Sequence, residues 1–258
     1  DFPYGHLPVY VARLLILAAP DADPLYAARL LSGLIGVMLV ALGGAGGRAL
    51  TGERGGLLSA ALLAGAPLLV QQARFYTVDP LGAAFVSGAM LAAARRCWRM
   101  AGALAGLAVA CKASLGWGII VLLGGIFLTR REDFLKVAGR VLLFAALSFA
   151  LTSPWAVLRP VACWRGPLIQ AGMVAGRYEA PYTQQYAGTR PFLYPLGQMA
   201  LWGLGPTVTL VGAAGLLGVL RHWRTTTSAR RWAAQYWAHL FSFLSRPRCN
   251  ALEQKERC

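Results

Sequence analysis

The feature that most constrains this chain is a succession of apolar runs separated by short arginine-bearing connections. The runs cover Ala27 to Ala45, Gly55 to Ala73, Leu81 to Ala94, Ala101 to Cys111, Ser114 to Leu128, Val137 to Leu151 and Phe192 to Leu220. A bilayer-crossing helix needs about 20 apolar residues, and several of these runs fall short of that. The whole chain is 57% hydrophobic and only 14% charged, against about 25% charged in soluble domains. The composition argues against a water-soluble globule. The pattern predicts an all-α fold, a polytopic transmembrane helical bundle of about seven spans. Its Gly and Ala content favours close helix contacts.

The net charge is +15, yet the cations are scattered in short clusters between apolar runs. They do not form one hydrophilic face, so nucleic acid is not an expected partner. Membrane topology accounts for them, because cytoplasmic loops collect Lys and Arg. Alternate connections carry Arg48 and Arg54, then Arg95, Arg96 and Arg99, then Arg130, Arg131, Lys136 and Arg140, then Arg221, Arg224, Arg230 and Arg231. These are expected on the cytoplasmic side. The opening segment, the turn around Asp79, the turn around Lys112 and the loop from Thr152 to Pro191 then face outward. That long loop also holds Arg159, Arg165, Arg177 and Arg190, which run against the rule.

The organisation expected is therefore an outer segment over 1–26 with a juxtamembrane helix, a bundle of about six helices over 27–151, an outer loop over 152–191, a last span over 192–220 and a basic tail over 221–258. The run from Leu7 to Ala19 lies between Pro8 and Pro20 and is too short to span, which suits a helix lying in the interface. The five cysteines show neither metal-type spacing nor a disulfide framework. The sequence starts in mid-pattern with no initiator Met, signal peptide or first hydrophobic anchor, and is read as a fragment.

Acidic residues are scarce, so each carries information. Asp79, in QQARFYTVDP, closes one apolar run and precedes Pro80, which can occupy the first turn of the next helix. A carboxylate there could accept a proton or hold a cation or acceptor, and the plain alternative is a capping Asp at a helical hairpin. Lys112 interrupts the apolar AVACKASLGW, where a cation is costly unless it reaches water, a carboxylate or an anionic ligand. A phosphate would satisfy it; so would snorkelling from a helix end. Arg74 invites the same pairing, to ligand phosphate or to Asp79, with a salt bridge to Asp79 favoured. The loop PYTQQYAGTRPFLYP offers Tyr182, Gln185 and neighbours as hydrogen-bonding groups for sugar or phosphate, while most of its aromatics suit an interfacial belt. His6 and the other histidines lack metal-like partner spacing and are read as satisfied or surface residues.

In order, FPYGHLPVY, ARLLSGLIG, ARFYTVDP, GLAVACKAS, SPWAVL and PYTQQYAGTRPFLYPL resemble segments of the GT-C superfamily of polyprenyl-phosphate-sugar-dependent glycosyltransferases. The similarity is to the dolichyl-phosphate-mannose mannosyltransferase and aminoarabinose-transferase-like group. The resemblance implies a hexosyl- or pentosyltransferase in the cytoplasmic membrane that moves a sugar from a polyprenyl-phosphate carrier to a lipid, glycan or protein acceptor at the outer face, with membrane lipids around it. It implies inversion at the sugar carbon, Asp79 as the second acidic position, Arg74 and Lys112 as donor phosphate contacts, and Tyr182 and Gln185 as substrate-loop contacts. No cofactor is assigned. Some members of the superfamily recruit a divalent metal, but no ligand set stands out in this sequence. The chain departs from the pattern in lacking the principal catalytic carboxylate that relatives carry before the YGHLP-like segment. Rival readings are a transporter or lipid-handling protein with Asp79 and Lys112 on a substrate path, and a noncatalytic membrane subunit.

Overall fold

The computed structural model describes residues 4–174, 177, 189–190 and 192–225, with the side chains of Trp164, Val174 and residues 219–225 left aside. Among the described residues the fold is all helical, as the apolar pattern requires. Helix α1 (Leu7–Ala18) is followed by α2 (Pro24–Ala64), whose start is set by the Asp23 carboxylate accepting the Leu25 amide at 2.8 Å and by Pro24 in its first turn. Short α3 (Pro67–Gln72) leads to α4 (Val78–Ala94) and α5 (Trp98–Cys111). A 3-10 turn over Ala113–Gly116 feeds α6 (Trp117–Thr129), then α7 (Phe134–Thr152), α8 (Pro154–Leu158) and α9 (Pro160–Val174). Helix α10 (Leu193–Gln198) runs through a wider turn over Met199–Gly203 into α11 (Gly205–Thr225).

At 41 residues, α2 would measure about 60 Å if straight, twice a hydrocarbon core. It reverses instead at Gly52, where φ is 81° and ψ is −168°, a backbone region open essentially to glycine. The two limbs fold back on one another through glycine. A methyl group on Gly44 would stand 3.2 Å from the Ala60 Cβ, and one on Gly47 would overlap Ser59. The apolar runs 27–45 and 55–73 thus become the two sides of a hairpin, with Arg48 and Glu53 paired at 2.6 Å beside its tip.

Helix α5 is the centre of the bundle, packed against α4 on one side and α7 on the other. A Cβ on Gly102 would overlap the Val141 backbone, and one on Gly106 would overlap that of Ala145, so α5 and α7 meet backbone to backbone. The Ser148 hydroxyl crosses the same contact, donating to the Ala103 carbonyl at 2.8 Å. Small residues fill the interior: Ala89, Ala101, Ala108 and Ala110 are each at most 2% exposed. Leu34, Val37, Leu143, Leu147 and Leu151 point outward. Small inside and large outside is the distribution of a bundle solvated by lipid.

About seven full-length spans are not confirmed among the described residues. Among the described residues two helices, α2 and α7, are long and apolar enough to cross a membrane, and three if the bent pair α10 and α11 is one span. The physical reason is length: α4 has 17 residues and α5 has 14, against the usual 20 or so. The run 192–220 is not one straight helix, since its two parts meet at 117°. Gly205 has φ of 79°, and Pro206 supplies no amide to continue the ladder. Within 152–191 the first part is helical, as α8 and α9.

Candidate functional site

The site forms where α4 begins, α5 ends and the segment before α1 crosses between them. Thr77 holds the cap position of α4, but its hydroxyl donates to Gln72 Oε1. Asp79 is not the cap residue and lies in the first helical turn, where the helix dipole favours a negative charge. At the other edge α5 stops at Cys111 because Lys112 is extended, with φ of −157° and ψ of 125°. That extended residue directs the side chain out of the apolar run and across to α4. Lys112 Nζ donates to Asp79 Oδ1 at 2.7 Å.

The segment Tyr4 to Pro8 braces this pair. The Gly5 amide donates to the Cys111 carbonyl at 3.0 Å, satisfying one of the carbonyls exposed at the end of α5. Only glycine fits there, since a Cβ would overlap the Ala110 carbonyl. The Tyr4 ring lies 5.7 Å from Lys112 Nζ, within cation–π range. From the opposite side the Tyr76 hydroxyl donates to the Pro8 carbonyl at 2.6 Å. Burial first, and the neighbouring Cys111 second, push the Tyr76 phenol up to about 12. His6 stacks on Tyr10 with centroids 6.2 Å apart, and its Nδ1 is buried with no hydrogen-bond partner, unlike the satisfied or surface histidine expected.

The ion pair is accessible, with the Lys112 side chain 33% exposed and that of Asp79 52% exposed. Such pairs contribute about 0–1 kcal/mol to stability, so an incoming anion or hydroxyl can displace either partner at little cost. The end of the bundle thus presents one carboxylate and one ammonium side by side. Arg74 is exposed on the connection between α3 and α4. The salt bridge favoured for it is not formed, because Asp79 is engaged by Lys112. Tyr182 and Gln185 lie outside the described residues. Among the described residues no three His, Cys, Asp or Glu side chains gather as a metal site, and no disulfide joins Cys97, Cys111 or Cys163.

Sequence reasoning missed Tyr4, Gly5 and Tyr76. Their roles are tertiary: each touches a backbone group or charge remote in sequence. The one available signal was the glycine of YGHLP, beside two prolines in an otherwise helix-forming stretch.

The sequence profile of the dolichyl-phosphate-mannose-protein mannosyltransferase family matches residues 8–158, and the chain belongs to that family. It is an integral membrane protein and a glycosyltransferase of the GT-C type. The matched region takes in α1 through α8 and so includes both Asp79 and Lys112. No curated protein and no solved structure matches the chain.

Proposed function

We propose that this protein transfers a sugar from a polyprenyl-phosphate carrier to a lipid, glycan or protein acceptor at the outer face of the cytoplasmic membrane, at the end of the bundle where Asp79 meets Lys112. The single observation that supports this reading is their 2.7 Å contact in a chain of a mannosyltransferase family. In the resting pair each charge satisfies the other. The donor is a phosphodiester, and its anionic oxygen competes with Asp79 for the Lys112 ammonium. Asp79 is then released to accept a proton.

The acceptor hydroxyl oxygen forms its bond to the sugar carbon as the bond from that carbon to the phosphate oxygen breaks, with inversion at the carbon. Asp79 takes the hydroxyl proton, and the electron pair of the broken bond stays on the polyprenyl phosphate. Lys112, helped by Arg74, stabilises the negative charge that grows on the departing phosphate. Tyr182 and Gln185 are assigned to substrate contact. Four exposed cations at the opposite end, Arg95, Arg96, Arg99 and Arg131, suit the cytoplasmic side, which leaves the Asp79 end outward.

The test is transfer from a polyprenyl-phosphate sugar by the complete gene product in vesicles, comparing the unchanged protein with Asp79→Asn. Product formation that collapses in the variant supports the reading. Solute uptake without covalent product, or activity indifferent to the substitution, overturns it.

A further inference from the structure

Four helix ends meet at the pole of the bundle away from Asp79. Ala93 of α4, Trp98 of α5, Ile126 of α6 and Val137 of α7 are buried in one cluster, and Phe134 packs against it. This packing brings the α4–α5 turn beside the α6–α7 turn. The first turn carries Arg95 and Arg96, the second Arg130 and Arg131. Arg130 reaches Asp133 at 3.6 Å, and the Arg131 guanidinium lies 5.2 Å from the Phe127 ring centroid. Among the described residues, no carboxylate pairs with Arg95, Arg96 or Arg131.

The backbone at Arg96 makes the cluster unusual. Helix α4 ends with the Cys97 amide donating to the Ala92 carbonyl at 2.9 Å and the Arg96 amide donating to the Ala93 carbonyl at 2.8 Å. That is a Schellman closure, whose left-handed position is usually glycine. Arg96 occupies it with φ of 60°, a strained choice for a residue with a Cβ. A chain with 30 glycines has placed arginine where glycine would close the helix more easily. A local rule broken in this way points to a use for the side chain.

We propose that Arg96 and Arg130, flanked by Arg95 and Arg131, bind the phosphate of an anionic phospholipid. Two guanidiniums on adjacent turns can each present paired donors to phosphate oxygens, which an ammonium cannot do. The carboxyl-terminal ends of α4 and α6 carry partial negative charge, which helps hold cations there without neutralising them. Partial desolvation, and secondly the Arg130 charge, draw the Arg96 guanidinium below its ordinary value. A phosphate between the two relieves that repulsion. The 17 residues of α4 separate this cluster from Asp79 by roughly 25 Å, so the lipid site and the sugar-transfer site are independent.

The test uses the complete protein in phosphatidylcholine nanodiscs, titrated with labelled phosphatidylglycerol. The double variant Arg96→Gln with Arg130→Gln is expected to bind it about tenfold more weakly or worse. Arg96→Gly is expected to weaken binding as well, while its unfolding temperature in pure phosphatidylcholine stays level or rises because the strain is relieved. Arg54→Gln, which removes an exposed cation elsewhere, is expected to leave binding unchanged. Undiminished binding by the double variant, equal weakening by Arg54→Gln, or inorganic phosphate binding as tightly as the lipid would each overturn the proposal.

Discussion

The Gly5 amide and the Cys111 carbonyl, 3.0 Å apart, tie the segment before the first helix to the residue that precedes Lys112. This bond braces the end of α5, from which the Lys112 side chain emerges. Gly5→Ala places a methyl group into the Ala110 carbonyl. Overpacking of this kind costs typically about 1–3 kcal/mol. A lowered unfolding temperature together with reduced sugar transfer is the expected result, and thermal unfolding in detergent beside a product assay would reveal it. Wild-type stability in this variant would show that the contact is not made.

Asp79→Asn separates chemistry from folding. The exposed pair with Lys112 contributes about 0–1 kcal/mol, so the variant should remain folded. Loss of a proton acceptor should lower turnover by about 10²–10⁴-fold. Lys112→Gln should instead raise the KM for the polyprenyl-phosphate donor, and Lys112→Arg should restore much of the affinity. Steady-state kinetics with the donor varied distinguishes the two roles.

Tyr76 gives the site an alkaline limit. Its phenol is raised above the ordinary value of 10.0, to about 12, chiefly by burial. The folded state holds the proton more tightly than the unfolded chain, so this contribution is complete below pH 10 and is lost as pH rises toward 12. Tyr76→Phe removes that part of the dependence. It also loses the bond to the Pro8 carbonyl, at a cost of about 1 kcal/mol. Unfolding temperatures measured from neutral pH to pH 12 should fall less steeply in the variant.

The hairpin in α2 can be trapped covalently. Cβ atoms at 44 and 60 would be 3.2 Å apart, near the separation that a disulfide spans. In one straight helix these positions would lie about 24 Å apart. Gly44→Cys with Ala60→Cys, on a background without the natural cysteines, should therefore cross-link on mild oxidation. Absence of an intramolecular bridge would mean that the limbs do not fold together.

The charges were legible because an apolar chain can bury so few of them. Asp79 and Lys112 stood out as isolated costs beside apolar runs, and the fold settles both costs by bringing them together. Arg74 carried the same signal without its outcome, since nothing local says which of two cations reaches one carboxylate. The reversal near Gly52 was foreshadowed by Arg48 and Arg54, polar interruptions between two apolar runs. The bend at Leu204 was not separated from its neighbours, although Gly205 and Pro206 marked it, because hydropathy stays high across them. Short α4 and α5 were foreseeable, because their apolar runs already fell short of a spanning length in the sequence. Contacts of Gly5, Tyr4 and Tyr76 belong to the assembled bundle alone.

An interior of alanine and glycine under a coat of leucine reverses the arrangement that water imposes on proteins. Removed from hydrocarbon, the coat would seek its own kind, and neighbouring molecules would clump before any of them unravelled. For this protein the choice of surfactant is thus part of the structure.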